Sequence, residues 1–405
     1  MTSLSIKQKA QQYVVLTGMA LFIGLLVGAI DMIFGQGLLL IGDFRSQHWP
    51  LILFLAIAGL VIVYLYKRFG GKASKGMGLI FDVGHAREEK IPLVLVPLIM
   101  LTTWMSHLFG GSVGREGVAV QIGATLSHRF ARHIKIPDAS RIFLMTGMAA
   151  GFAGLFQTPL AATFFALEVL TVGELQLMAL YPALIASIVA SFTSHALGLE
   201  KFAVPLRETL SWTPETLIKV AFLGLAFGLA GKLFAVSLSW LKKTVAQVLP
   251  NPYTRIALIG AGLSLVLLTL QLTKVGTYSG LGTNLIDVAF HQGSAHSYDW
   301  ILKLLFTVVT ISAGYQGGEV TPLFAIGATL GVFLAPMLGL PVLVVAAIGY
   351  ASVFGSATTT LLAPILIGGE VFGYGNLPFF VIACAIAYCL PKEWSIYSGQ
   401  KVAKK

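Results

Sequence analysis

From Tyr13 to Phe34 the chain runs almost without charge, broken only by Asp31. An apolar stretch this long can cross a hydrocarbon core of roughly 30 Å as a helix, and it exceeds the apolar region of a typical signal peptide. A second apolar run follows at Leu51 to Tyr66. In lipid every backbone N–H and C=O must find its partner within the protein, which leaves helices or closed barrels. Apolar runs of helical length select the first. Charged residues make up 11% of the whole chain and mean hydropathy is +0.84. Soluble domains carry roughly 25% charged residues. A soluble enzyme, a disordered chain and a secreted disulfide scaffold are therefore excluded, and the expected class is an all-α polytopic protein of the lipid bilayer.

The net charge of +10 is then read as a basic cytoplasmic face, not as a nucleic-acid surface. Lys7 and Lys9 precede the first run, while only Asp43 and Arg45 fall between the two runs. Lys67, Arg68, Lys72 and Lys75 follow the second. The positive-inside rule places the N-terminus inside, a loop at 35–50 outside and 67–75 inside. Arg129, Arg132, Lys135 and Arg141, then Lys242 and Lys243, are expected on the same inner face. Lys401, Lys404 and Lys405 predict a cytoplasmic C-terminus with no further soluble domain after it.

Beyond residue 75 many apolar stretches are short and cut by Gly or Pro, as at 117–127, 159–172, 340–354 and 361–371. Such helices do not reach across the bilayer. Broken helices are how transporters bring helix ends to a site at mid-membrane. The 44 glycines fit both close helix packing and helix breaks. The chain also repeats itself. At an offset of 204 residues Gly114 falls on Gly318, and I-G-A-T-L at 122–126 recurs at 326–330. G-M-G at 76–78 falls on G-L-G at 280–282, and Glu168-Val169 on Glu370-Val371 after a slip of two. Two halves follow, 1–205 and 206–405, joined by a polar linker from Leu206 to Glu215.

Three glycine-flanked turns precede apolar runs: G-M-G-L-I at 76–80, G-R-E-G-V at 114–118 and G-G-E-V-T-P at 317–322. A helix N-terminus presents unpaired N–H groups and a partial positive charge. Several converging ends bind an anion without a full cation. Glu116, among glycines at the start of an apolar run, is costly at membrane depth and so a functional candidate. Its carboxylate can occupy an anion site and, once protonated, vacate it. The competing reading is a capping residue paired with Arg115. Glu319 raises the same question in the second half. Glu168 and Glu370 are read as structural caps or pairs. The eight histidines are scattered, no H-E-x-x-H occurs, and Cys384 and Cys389 lie in an apolar run, so no metal and no cofactor are expected. Asp82 and His85 form either an acid–base pair or a loop contact. An intramembrane enzyme built on them or on Glu116 lacks any nucleophile motif.

These motifs resemble the CLC family of anion channels and transporters, whose signatures read G-S-G-I-P, G-R-E-G-P and G-G-x-F-x-P. L-F-Q-T-P-L-A at 155–161 is similar to that family's F-N-A-P-L-A. The resemblance covers about 75–400 and implies an inverted repeat, a homodimer with one pore per subunit and cytoplasmic termini. The departures resemble the branch of bacterial fluoride/proton antiporters. Met77 replaces the filter serine, Ile80 and Val118 replace prolines, and Glu319 fills a position that is usually apolar. That branch lacks the family's second, intracellular proton glutamate, whose place falls on Val169. The resemblance implies fluoride export in exchange for protons across the inner membrane, with a chloride channel or exchanger as the alternative. Glu116 would gate and Glu319 would couple protons. The anion would be met by Gly76, Met77, Gly78, Val320, Thr321 and Tyr397, the last by similarity of S-I-Y-S to the family's C-terminal tyrosine; an interfacial anchor is the other reading of Tyr397.

Overall fold

The computed structural model describes residues 6–292 and 295–403, so Lys404 and Lys405 lie outside the described residues. The first half runs α1 (Ile6–Gln47), α2 (Leu55–Leu65), α3 (Met77–Gly84), α4 (Leu95–Leu108), α5 (Glu116–Ala131), α6 (Ala139–Phe156), α7 (Pro159–Glu168) and α8 (Leu180–Ala196). The second runs α9 (Pro214–Val248), α10 (Pro252–Leu272), α11 (Thr283–Asp287), α12 (Asp299–Ala313), α13 (Val320–Leu338), α14 (Val342–Thr358), α15 (Leu362–Phe372) and α16 (Leu377–Tyr388). Each of α4 to α7 has its counterpart, α12 to α15, starting 203 or 204 residues later. Among the described residues seven helical stretches are long and apolar enough to cross a membrane. Others are not: α7 has 10 residues and spans roughly 15 Å, half the hydrocarbon thickness.

The loop expected at 35–50 is a correction. Residues 35–47 continue α1, and the helix ends only at Gln47, before His48, Trp49 and Pro50. Gly35 and Gly37 do not break it, because their bare faces let neighbours in. A Cβ at Gly35 would meet Leu199, and one at Gly37 would meet the Trp104 ring. The polar linker also differs from expectation: the chain is non-helical over 197–213, and residues 214 and 215 belong to α9. It is irregular as far as Thr213, whose hydroxyl caps α9 by accepting from the Thr216 N–H at 3.2 Å. Leu206 N–H reaches across to Phe372 O at 3.0 Å and ties the linker to the second half.

The repeated I-G-A-T-L pentapeptide is explained by packing. Gly123 of α5 crosses Gly147 of α6, and a Cβ on either would run into the other's carbonyl oxygen. Gly327 of α13 and Gly349 of α14 repeat the crossing in the second half. Without side chains the axes approach closely, and the N-terminal ends of α5 and α13 are thereby fixed. Gly123→Ala is expected to cost about 1–3 kcal/mol by overpacking. A lowered unfolding midpoint in detergent would show it; an unchanged midpoint would mean the crossing has slack.

Basic segments gather at one end. The N-terminal turn of α1, at Gln8 and Gln11, shares a cavity with His133 and Lys135. His85 and Arg141 share another with Lys401. There a short parallel pairing of Thr171–Val172 with Lys401–Val402 holds the C-terminal segment against the residues after α7. Asp43 and Arg45 at the far end of α1 line a different cavity, with Thr283 and Asn284.

Candidate functional site

Three helix N-termini converge, those of α3, α5 and α13. Gly76 precedes α3 with φ +53°, a left-handed conformation that favours glycine, and Gly280 in the matching turn has φ +71°. Gly114 and Gly318, ahead of α5 and α13, pair in an antiparallel bridge with N–H···O distances of 2.5 and 2.7 Å. Equivalent segments thus run in opposite directions about one axis, as an inverted repeat requires.

Two cavities approach this bridge from opposite ends. The larger, about 800 Å³, is lined by Arg45, His107, Arg115, Glu116, Thr321 and Tyr350, among others. The smaller, about 260 Å³, is lined by Gly76, Met77, Gly78, Gln121, Glu319 and Tyr397, with Lys75 and Lys242 at its rim. Glu116 belongs to the first and its chain neighbour Gly117 to the second. On the α5 side the two cavities are lined by adjacent residues.

Glu116 is 1% exposed. Its Oε2 accepts from the Thr321 N–H at 3.0 Å, and the Thr321 hydroxyl lies 2.7 and 2.6 Å from its two oxygens. Arg115 Nε stands 3.6 Å from Oε1. The carboxylate therefore sits as an anion would, against the first turn of α13. The pairing with Arg115 is present as well, so the two readings of Glu116 describe one arrangement. Glu319 precedes α13 as its N-cap position, and its side chain makes no capping hydrogen bond to that helix. A Cβ at Gly117 would lie 3.6 Å from Glu319 Oε2, which puts this second carboxylate on the opposite face of the barrier.

The other expected residues divide. Gly76, Met77, Gly78 and Tyr397 line the small cavity, and Thr321 lines the large one. Val320 is 1% exposed and lines neither. Tyr397 is buried at 6% exposure against Phe81, with ring centroids 5.4 Å apart, so it is no interfacial anchor. Its hydroxyl has no hydrogen-bond partner among the described residues. Glu168 and Glu370 are caps, reciprocally between the halves. Glu168 accepts from the N–H groups of Leu361, Leu362 and Ala363 at 2.8–3.1 Å, at the start of α15. Glu370 accepts from Leu160 and Ala161 at 3.0 and 2.8 Å, at the start of α7. Asp82 bonds to Lys75 at 2.9 Å, and no bond joins it to His85. Gln121, Tyr350 and Lys242 were not expected from the sequence. Gln121 is the one polar side chain between Glu116 and Thr125, and that isolation was a signal. Its Oε1 has no partner among the described residues and lies 3.4 Å from where a Cβ at Gly76 would be.

The sequence pattern described as voltage gated chloride channel matches residues 58–392. The chain belongs to this family. A chloride/fluoride channel protein of Pseudomonas syringae pv. tomato is 36% identical over 94% of this chain and 85% of its own length. A voltage-gated ClC-type chloride channel, ClcB, of Salmonella typhimurium is 26% identical over 77% of this chain and 74% of its own. Among solved structures, a CLC-type fluoride/proton antiporter is 50% identical, with TM-score 0.95, covering 99% of this chain and 100% of that one. A slow cyanobacterial Cl⁻/H⁺ antiporter, 21% identical with TM-score 0.79 over 95% and 96%, shares the fold. The chain is thus a multi-pass membrane protein with the CLC fold.

Proposed function

We propose that this protein exports fluoride from the bacterial cytoplasm in exchange for protons, as a homodimeric transporter of the inner membrane and not as an enzyme. The observation that carries the reading is the Glu116 carboxylate seated on the Thr321 N–H and hydroxyl, an anion position filled by the protein's own titratable group. An arriving fluoride and this carboxylate compete for the same donors. Protonation removes the carboxylate's charge and lets the ion pass. On α5 the linings of the two cavities meet at the adjacent residues Glu116 and Gly117, which keeps such a swap short in distance. Glu319, lining the smaller cavity, takes the role of coupling carboxylate. Both assignments, and those of Gly76, Met77, Gly78, Val320, Thr321 and Tyr397 to anion binding, rest on the motif resemblance. All but Val320 also line the two cavities. The 36% identical chloride/fluoride channel protein and the 50% identical fluoride/proton antiporter support fluoride as the ion.

The basic segments gathered at one end support a cytoplasmic placement for both termini and for the small cavity. The element correspondence supports two inverted halves, 1–205 and 206–405. Proteoliposomes read in parallel with fluoride and chloride electrodes and a pH probe test the reading. Fluoride efflux with stoichiometric proton uptake is expected. Chloride flux of equal size would make the protein a chloride transporter instead.

Met77 supplies a thioether to the wall of the inner cavity. Met77→Ser adds a hydroxyl donor and removes bulk, which favours the larger and more weakly hydrated chloride. The chloride-to-fluoride flux ratio should rise roughly tenfold, the worth of one hydrogen bond of about 1–1.5 kcal/mol. An unchanged ratio would make Met77 a packing residue.

A further inference from the structure

A third cavity, about 370 Å³, opens beside the inner one and is lined by Lys242, Lys243 and Lys392. The two share Lys242, Ile396, Tyr397 and Ser398 in their walls. Glu393 is the one carboxylate in the third cavity's lining, against three lysines. None of the three lysines forms an ion pair among the described residues, and Lys392 lies 4.7 Å over the Tyr388 ring. Of the two lysines in the inner cavity, Lys75 is committed to Asp82 and Glu88 at 2.9 and 3.4 Å. Lys242 is therefore the cation common to both spaces, and in the inner cavity it shares the lining with the Glu319 carboxylate.

We propose that this side chamber is an anion-collecting antechamber and that Lys242 passes the anion into the inner cavity. The ligand class is a small monovalent anion held loosely, with fluoride as the transported one. A cleft lined by one sign of charge raises the local concentration of its counter-ion. Lys242 and Lys243 are exposed, so their ammonium groups stay hydrated and attract without trapping. A hydrated field of this kind does not choose between anions. Selection is left to the donors further in, and the chamber sets how much dissolved fluoride suffices to load them. That division suits an exporter working on a dilute ion.

The proposal rests on the fluoride reading above, and the test keeps the two apart. Fluoride uptake is measured with an electrode in inside-out vesicles, where the bath meets the cytoplasmic mouth, at low and high ionic strength. Lys242→Gln should raise the half-saturating fluoride concentration about three- to tenfold at low ionic strength. The shift should vanish in high salt, where charges more than about 3 Å apart are screened at 1 M. Lys242→Arg should restore the wild-type value, and right-side-out vesicles should show no difference. An unshifted half-saturation at low salt, or a shift indifferent to salt, overturns the antechamber. Wild-type vesicles that move no fluoride overturn the fluoride reading alone; the same comparison with chloride then decides the antechamber.

Discussion

Glu116→Gln should abolish proton-coupled fluoride movement, lowering proton flux driven by a fluoride gradient at least about 100-fold, the size of a lost acid–base group. The substitution is nearly isosteric. Its amide oxygen can still accept from the Thr321 N–H, and its NH₂ can donate to the Thr321 hydroxyl, which can turn to accept it. The fold around the Gly114–Gly318 bridge should therefore survive. What is lost is the proton and the negative charge that competes with the ion. The measurement is proton uptake in liposomes loaded with fluoride, with folding checked by gel filtration. Wild-type proton pumping in this variant would remove Glu116 from the gate and leave it a cap held by Thr321 and Arg115.

Glu319→Gln should leave anion binding in place and stop coupled turnover, again by about 100-fold or more. Unlike Glu116, this side chain makes no capping hydrogen bond to α13, so the start of that helix does not depend on its charge. On the proposed route its place across the barrier would let it take a proton delivered at Glu116 and release it on the other side, which Val169 could not do. Val169 is fully buried, and its carbonyl accepts from Gln400 at 2.8 Å. Titration calorimetry with fluoride should give an affinity close to wild type, while the pH probe reads no antiport. Coupled exchange at the wild-type rate would make Glu319 structural.

Much of this was legible in the sequence because the duplication writes each constraint twice. The turns ahead of α3, α5 and α13 were visible as glycines flanking apolar runs, and all three are helix starts. The most literal repeat, I-G-A-T-L, reports a helix crossing and not ion chemistry, because close packing tolerates fewer substitutions than a loop does. The end of α1 was missed because Gly35 and Gly37 look like breakers until Leu199 and Trp104 are seen packed on them. The partition of the site into two cavities was beyond the sequence. It depends on Gly114 meeting Gly318 and on residues 116 and 117 facing opposite ways. Lys242 was read only as a topology marker, since nothing near it in the chain reveals Tyr397 or Glu319 beside it.

The reciprocal caps bear on how the chain is made. The helix α7 starts at Pro159 with no side-chain cap of its own, and the carboxylate its first N–H groups need belongs to Glu370, 209 and 210 residues later. During synthesis those groups have no partner from the chain until nearly the whole of it has emerged, and lipid cannot solvate them. The first half alone therefore has no carboxylate for that helix end, and docking of the second half is the step that closes it.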